Sequence, residues 1–492
     1  MSDCCSTEKT NNCTSLAPET RAVQADGKHL LIVGGGGAAF AAALKASGLG
    51  ARATIINDGL PMGGTCVNVG CVPSKTLLRA AEALHRARTP GAFSGIATTG
   101  TLADFAAVMR QKRELVEALR QAKYADVIGD DPRIRFVRGR GRLIDARTVE
   151  VNGEHLSGDA VLLCTGARPA VPDIPGLADV PFLTNESAFE LNELPESLLV
   201  LGGRYIALEC AQLFARLGSR VTVLQRSERI LPTESSILTD ELTAHLKQEG
   251  LAICTGVAIQ RIRSTGNGVA VEAVVNGQRE IFRASRLLVA TGRTPNSDGL
   301  GLEQVGVKAD ALGFIPTDAH LASTVPGIYA AGDVIGEPMF VYTAAYEGAL
   351  AAENALTNVR RGRDYTALPW VVFTDPQVAG VGLDLAQAEG TGLSAETSTL
   401  PLSQIPRSLA ARDTRGFIQL IRDRKTDRLL GARILAPEGG ELLMEAALAI
   451  RYGITVRELA SAFHPYLTLG EGIKLAALSF GKDVNKLSCC AA

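Results

Sequence analysis

The clearest pattern of apolar and polar positions opens at Lys28. His29–Val33 is a short apolar run, Gly34–Gly37 interrupts it, and Ala38–Ser47 continues as an Ala-rich helical stretch. Ala53–Ile56 is apolar again, so the order is strand, helix, strand, which predicts a parallel sheet. The plan returns later: strand Leu198–Leu201, turn Gly202-Gly203, helix Tyr205–Leu217, strand Arg220–Leu224. Two further strands, Ala160–Cys164 and Leu287–Ala290, both run into Thr-Gly, at Thr165-Gly166 and Thr291-Gly292. Most of the first two thirds is therefore one plan used twice. Within the first copy, Leu102–Asp126 reads as one long helix, and after the second copy Ile328–Asp333 reads as a strand ending in Gly-Asp. After Pro369 the pattern changes to strand-like runs, Gly416–Ile421 and Leu429–Ile434, before a helix over Gly440–Tyr452. That reads as a separate α+β domain.

Composition narrows the classes. The chain has 492 residues and a net charge of -2, which argues against nucleic-acid binding by bulk charge. With 46% hydrophobic and 21% charged residues it is a globular chain, not a disordered one. The polar start has no apolar core segment, so no secretory signal is expected. Leu30–Leu49 is mostly apolar but carries four consecutive glycines and a lysine, so no membrane span is expected. The expected compartment is the cytoplasm. The ten cysteines are then not expected to form a structural disulfide network.

The first Gly turn matches G-x-G-x-x-A at Gly34, Gly36 and Ala39, between a strand and a helix. Such a loop turns tightly, lets a pyrophosphate approach the backbone, and aims a helix N-terminus at it. Asp58, at the end of the next strand, is the acid expected on ribose hydroxyls. The second turn keeps Gly202 and Ala207 but has Arg204 in the middle glycine's place. Arg204 either crowds the pyrophosphate or contacts a phosphate. No acid ends the following strand. Arg226 and Arg229 lie there, which suits the 2′-phosphate of NADPH.

The densest chemical signal is Gly63-Gly64-Thr65-Cys66-Val67-Asn68-Val69-Gly70-Cys71-Val72-Pro73-Ser74-Lys75. Two cysteines at this spacing can meet across about a helical turn and close a small disulfide ring. The alternatives are two buried thiols or a metal site, and a metal site lacks further Cys or His ligands nearby. The segment resembles the active-site motif of the flavin-dependent pyridine nucleotide–disulfide oxidoreductases, and the resemblance runs from about Lys28 to the C-terminus. Thr165-Gly166, Thr291-Gly292-Arg293 and Ala330-Ala331-Gly332-Asp333 look like that family's strand-end motifs.

The resemblance implies an α/β fold: two Rossmann-like FAD- and NAD(P)-binding domains plus a C-terminal α+β dimerisation domain. The boundaries it implies are a flexible Cys-containing leader at 1–27, an FAD domain at 28–175 and an NADPH domain at 176–294. A central segment at 295–366 completes the FAD domain, and the dimerisation domain with a mobile Cys-Cys tail spans 367–492. FAD contacts would come from Gly34, Gly36, Ala39, Asp58, Thr65, Lys75, Gly141, Thr165, Gly166, Asp333 and Val341. NADPH contacts would come from Gly202, Tyr205, Arg226, Arg229 and Gly292, with Tyr205 as an aromatic gate over the flavin. Lys75 would lie near the flavin, paired with Glu209. Cys71 would be the thiolate facing the flavin and Cys66 the thiol that meets the substrate. A homodimer with shared active sites is implied.

Two departures bear on the substrate. Organic disulfide reductases of this family carry a His-Pro dipeptide with its His five residues before a glutamate. Counting back from Glu471, that place holds Tyr466, and His464 falls two positions earlier. A tyrosine with a pKa near 10 is a poor proton shuttle at neutral pH. The second departure is the tail, Leu487-Ser488-Cys489-Cys490-Ala491-Ala492, whose adjacent thiols suit soft metal ions. Together they resemble the branch of the family that reduces Hg(II) to elemental mercury. By that resemblance Cys489 and Cys490 of one subunit collect Hg(II) from thiol complexes and pass it to Cys66 and Cys71 of the other. Tyr124 and Tyr466 would line the site. The leader with Cys4, Cys5 and Cys13 is too short to fold as the metal-binding domain that often begins such proteins, and is either a minimal mercury scavenger or without a role. The rival readings are an organic disulfide reductase of the dihydrolipoamide or glutathione type, and a thiol-rich protein that sequesters soft metals. Cys164, Cys210 and Cys254 read as small core residues.

Overall fold

The computed structural model describes residues 24–89 and 93–486. The leader cysteines Cys4, Cys5 and Cys13, and the tail pair Cys489 and Cys490, lie outside the described residues.

The first strand–Gly–helix unit sits at the centre of a five-stranded parallel sheet. Its order is Ile328–Ala330, Ala160–Leu163, His29–Val33, Arg52–Asn57, Ile134–Arg138. The central strands are apolar on both faces because both are covered: the helices Gly37–Gly48 and Val341–Leu356 pack on one, and a three-stranded antiparallel sheet over Arg142–Ser157 packs on the other. The chain leaves His29–Val33 toward one side and later returns on the other. The crevice beyond the strand ends therefore opens at Gly34, at a topological switch point. The second unit builds a four-stranded parallel sheet, Ala252–Cys254, Arg220–Leu224, Ser197–Leu201, Arg286–Val289. An antiparallel three-stranded sheet over Ala258–Ala284 packs on it.

Both Gly turns are tight for one reason. A Cβ on Gly34 would lie 2.1 Å from the carbonyl oxygen of Cys164, and one on Gly202 would lie 2.3 Å from that of Ala290. In each unit the turn crosses directly over the strand that ends in Thr-Gly. The repeat read from sequence is thus a repeat in space.

The C-terminal part is a five-stranded antiparallel sheet, Trp370–Val372, Gln377–Gly382, Leu429–Ala436, Phe417–Asp423, Ala395–Pro401. The helix Gly439–Tyr452 lies on it and the helix Glu471–Leu478 follows. Among the described residues no helix is long and apolar enough to cross a membrane.

The expected helix over Leu102–Asp126 is not uniform. An α-helix runs over Phe105–Arg120, five residues over Gln121–Ala125 wind as π-helix, and Asp126–Gly129 is α again. The strand expected over Ile328–Asp333 stops at Ala330, because Gly332 takes φ 77° and Asp333 opens a 3₁₀ turn.

The helix Val341–Leu356 crosses the nucleotide-loop helix Gly37–Gly48 almost backbone to backbone. A Cβ on Gly348 would stand 2.0 Å from the Ala38 carbonyl oxygen. Overpacking of this kind typically costs about 1–3 kcal/mol. Gly348→Ala is expected to lower the thermal midpoint, whereas alanine at the open Gly48 position is not; a melting curve for each checks it.

Candidate active site

The two motif cysteines do not share a helix. Cys66 lies in the short helix Gly64–Asn68, and Cys71 is the first residue of the helix Cys71–Arg88. Val69 and Gly70 make the corner between them, which replaces the single helical turn expected from the spacing. A Cβ on Gly70 would fall 2.9 Å from the Thr65 carbonyl oxygen, so the corner needs glycine. Asn68 braces the loop from inside, its amide donating to the carbonyls of Pro61, Met62 and Gly64.

Both thiols are free, with Cys71 exposed and Cys66 half-buried. A hydrogen bond from Cys66, and then the charge of Lys75, bring the Cys71 thiol down to about 7 against the opposing effect of burial. The same bond and burial push Cys66 up. The pair is thus split into one thiolate and one thiol, with Cys71 as the anion at a helix N-terminus.

Lys75, one turn along the helix, donates to Glu209 Oε2 at 2.8 Å. Glu209 comes from the helix Tyr205–Leu217 of the second nucleotide unit, and its other oxygen accepts the Phe373 N–H at 3.0 Å. Lys75 Nζ also stands 4.3 Å over the Phe373 ring. Tyr205 lies flat between two rings, with centroids 5.8 Å from Trp370 and 6.2 Å from Phe340. Burial pushes its hydroxyl up to about 12. Phe340 in turn stacks on Tyr342 at 5.2 Å. Sequence reasoning assigned no role to Phe340, Tyr342 or Trp370, and read Phe373 only as part of a run that resembles the start of the dimerisation domain. They are scattered singly along the chain, and only the fold joins them.

Tyr124 sits in the π-helical segment, edge-on to Phe40 at 4.9 Å. Its ring lies beside Gly63, where a Cβ would be 2.9 Å away. Burial, then the charges of Cys66 and Cys71, raise its pKa. The structure thus brings Tyr124 to the cysteine pair. π-Helical turns often mark functional positions, and here one turns the tyrosine toward the thiols.

The first nucleotide loop is lined as expected in part. In front of Gly36 there is open space: a Cβ there would meet only Gly64 Cα at 3.9 Å. Val341 closes the loop's far side, 3.1 Å from a Cβ on Gly37. Thr65 is the second residue of the short cysteine helix, next to the Gly64 that approaches Gly36. The Thr165 hydroxyl is buried without a partner, and Gly166 takes φ 68°. Asp333 lies 3.5 Å from Arg293, and burial raises its pKa. Gly141 packs against Val33, Ile56 and Val149. Ala39 is buried against the sheet. The side chain facing the loop at the strand end is Asn57, which a Cβ on Gly35 would meet at 2.5 Å. Asp58 is exposed and accepts the Gly59 N–H at 2.9 Å, closing its own turn.

In the second loop Arg204 is the residue just before the helix, with φ -103° and ψ -169°. Gly36 has φ -93° and ψ -167° at the same place. Any residue adopts that conformation, so arginine costs the backbone nothing there. Arg204 and Arg226 are exposed, and neither they nor Arg229 form an ion pair with a described residue. Gly292, past the last strand, takes φ 132°.

Tyr466 lies in the C-terminal domain on an exposed loop, beside the fully exposed Phe463 and the half-exposed Leu467. Leu467 takes φ 61°, and its N–H donates to Glu471 at 3.2 Å. The glutamate of the motif therefore holds backbone rather than an imidazole. His464 turns away, with Nε2 2.7 Å from Glu445 and a side chain 7% exposed.

A carboxylate-anchored lysine, a split thiol pair and two Gly loops define a two-nucleotide redox protein. Residues 28–348 match the model of the pyridine nucleotide-disulphide oxidoreductases, and residues 368–477 match that family's dimerisation domain. The chain belongs to this family. It is 44% identical to mercuric reductase of Staphylococcus aureus, over 95% of this chain and 85% of that protein. It is 45% identical to mercuric reductase of Streptomyces lividans, over 94% of this chain and 98% of that one. Among solved structures it resembles the HOCl-induced flavoprotein disulfide reductase RclA of Escherichia coli, at TM-score 0.81 and 29% identity, covering 90% of this chain and 98% of that one.

One prediction concerns the thiol pair. The thiolate absorbance of the reduced protein, minus that of Cys71→Ser, is expected to titrate near about 7. Lys75→Met removes a cation that favours the thiolate, so the midpoint should rise. A midpoint that stays put would mean that Lys75 does not act on Cys71.

Proposed function

We propose that this chain is an NADPH-dependent flavoenzyme that reduces Hg(II) to elemental mercury. The observation that carries the reading is the match along nearly the whole chain to curated proteins named mercuric reductase, at 44%, 43% and 45% identity. The chain's own chemistry agrees: a thiolate–thiol pair beside a tyrosine, with the nearest motif histidine bound to Glu445.

The residues fit FAD and NADPH. Space in front of Gly36, the Thr165 hydroxyl without a partner among the described residues and the half-buried Asp333 carboxylate suit the diphosphate and ribityl of FAD. The unpaired Arg226 and Arg229 suit the 2′-phosphate of NADPH. Bound together, the two cofactors supply the two electrons that convert Hg(II) to Hg(0).

The protein's part is to capture, hold and shield the ion. Cys489 and Cys490 of one subunit take Hg(II) from thiol complexes. The ion then moves by stepwise thiolate exchange to Cys66 and Cys71 of the partner. Cys71 accepts it as a thiolate, and Cys66 gives up its proton as its sulfur binds. Lys75 balances the thiolate charge while Glu209 holds the ammonium in place. Tyr124 and Tyr466 line the ion's position, and burial keeps the Tyr124 hydroxyl protonated at neutral pH. The dimerisation domain makes the shared site available, and the cytoplasm supplies NADPH.

The test is NADPH oxidation by the purified protein with Hg(II) in excess small thiol, with volatile mercury trapped in parallel. Lipoamide and glutathione disulfide serve as controls. Mercury-dependent NADPH loss with matching vapour is expected. Turnover with a disulfide and none with Hg(II) would make the chain a disulfide reductase, and binding without NADPH loss would make it a sequestering protein. Cys489→Ala with Cys490→Ala is expected to slow turnover of thiol-complexed Hg(II) by tenfold or more in order of magnitude, about the rate change that 1.4 kcal/mol produces. Flavin reduction by NADPH should persist in that variant, and unchanged turnover would remove the tail from the reaction.

A further inference from the structure

Residues Phe373, Thr374 and Asp375 run along one face of the helix Tyr205–Leu217 and are bonded to it at successive turns. Glu209 accepts the Phe373 N–H at 3.0 Å. One turn on, the Gln212 amide makes two bonds with the Asp375 backbone. Its Nε2 donates to the carbonyl at 2.8 Å, and its Oε1 accepts the N–H at 2.8 Å. A further turn on, Arg216 donates to the Asp375 carboxylate at 2.9 Å. Positions 209, 212 and 216 are spaced by three and four, so they form one stripe of the helix. From the C-terminal sheet, Arg415 donates to the other Asp375 oxygen at 2.9 Å.

These bonds are shielded. Gln212 is 1% exposed and Arg216 7%. Losing a partner there leaves a buried polar group unsatisfied, which makes the register of the strap on the helix hard to change. At its other end the strap delivers the Phe373 ring to within 4.3 Å of Lys75 Nζ. A lysine has a long flexible stem, and one carboxylate contact leaves it several rotamers. A carboxylate and a ring face, both fixed to the same helix stripe, leave it one.

We propose that the strap is a positioning device for Lys75. Gln212 and Asp375 are positioning residues: they set the height of Phe373 on the helix, and Phe373 with Glu209 sets the ammonium beside the flavin and Cys71. The inference rests on the reading of Lys75 as the cation next to the flavin. A fixed cation there favours the negative charge that flavin reduction brings, so its placement tunes the flavin's potential.

The experiment measures the flavin midpoint potential of the holoenzyme in wild type, Lys75→Met, Gln212→Met and the double variant. Lys75→Met is expected to shift the potential negative. Gln212→Met should shift it the same way by less, and the double variant should be no more negative than Lys75→Met. Summed shifts in the double variant would mean that Gln212 acts by a route other than Lys75, and would overturn the proposal. An unshifted Gln212→Met would overturn it too, even if its melting temperature falls, since that is what a purely structural residue gives. An unshifted Lys75→Met would instead refute the placement of Lys75 at the flavin, and the strap's role with it. Should Gln212→Met not hold flavin, Asp375→Asn takes its place in the same cycle, because it keeps both backbone bonds while removing the charge that the two arginines grip.

Discussion

The Glu209 carboxylate is bonded from two directions by parts of the chain far apart in sequence, Lys75 on the redox helix and the Phe373 N–H at the start of the last domain. Its side chain is only 8% exposed. A carboxylate withdrawn from water that far must keep its partners, and removing one partner of a buried pair typically costs about 3–5 kcal/mol. The cost fixes geometry. The redox helix, the second nucleotide unit and the C-terminal sheet cannot shift against each other without leaving this group unpaired. The cysteine corner inherits that rigidity, since Lys75 is on the same helix as Cys71.

The duplicated nucleotide unit explains why so few residues suffice to build two binding crevices. In both copies a strand ends in a glycine that crosses a neighbouring strand's last carbonyl, and a helix starts three residues later. The copies diverge where their ligands would differ. The first has space before Gly36. The second has a guanidinium at the same backbone conformation, and beyond the next strand further arginines that make no ion pair among the described residues.

Much of this was legible in the sequence, because it depends on local rules. Short apolar runs placed the central strands, an apolar helical stretch placed the helix Tyr205–Leu217, and the glycines announced both loops. What stayed hidden was tertiary. The π-helical turn at Tyr124 interrupts a run whose composition reads as plain helix, and only the fold sets its tyrosine against Phe40 and Gly63. The side chain at the first loop is Asn57 and not the neighbouring acid, since the strand's register decides which of the two faces inward. The run Phe373-Thr374-Asp375-Pro376 resembles the start of the family's dimerisation domain, but nothing in the sequence announces its bonds to the helix Tyr205–Leu217. Its residues are ordinary, and their partners lie about 160 positions away.

The tyrosine in the histidine's place is consistent with the proposed substrate on chemical grounds. Splitting an organic disulfide creates a thiolate leaving group, and an imidazole speeds that step by supplying a proton. Moving Hg(II) between sulfurs breaks one metal–sulfur bond as another forms, and the only proton to handle is the one on the incoming thiol. A split pair already meets that need, since Cys71 is held near its thiolate form while Cys66 keeps its proton until the metal displaces it. A titrating imidazole would add a competing ligand for a soft cation and a variable charge beside it. A phenol adds neither. His464, the one histidine near that motif, is bound by Glu445 instead, so the loop that carries Tyr466 offers a phenol and no free imidazole.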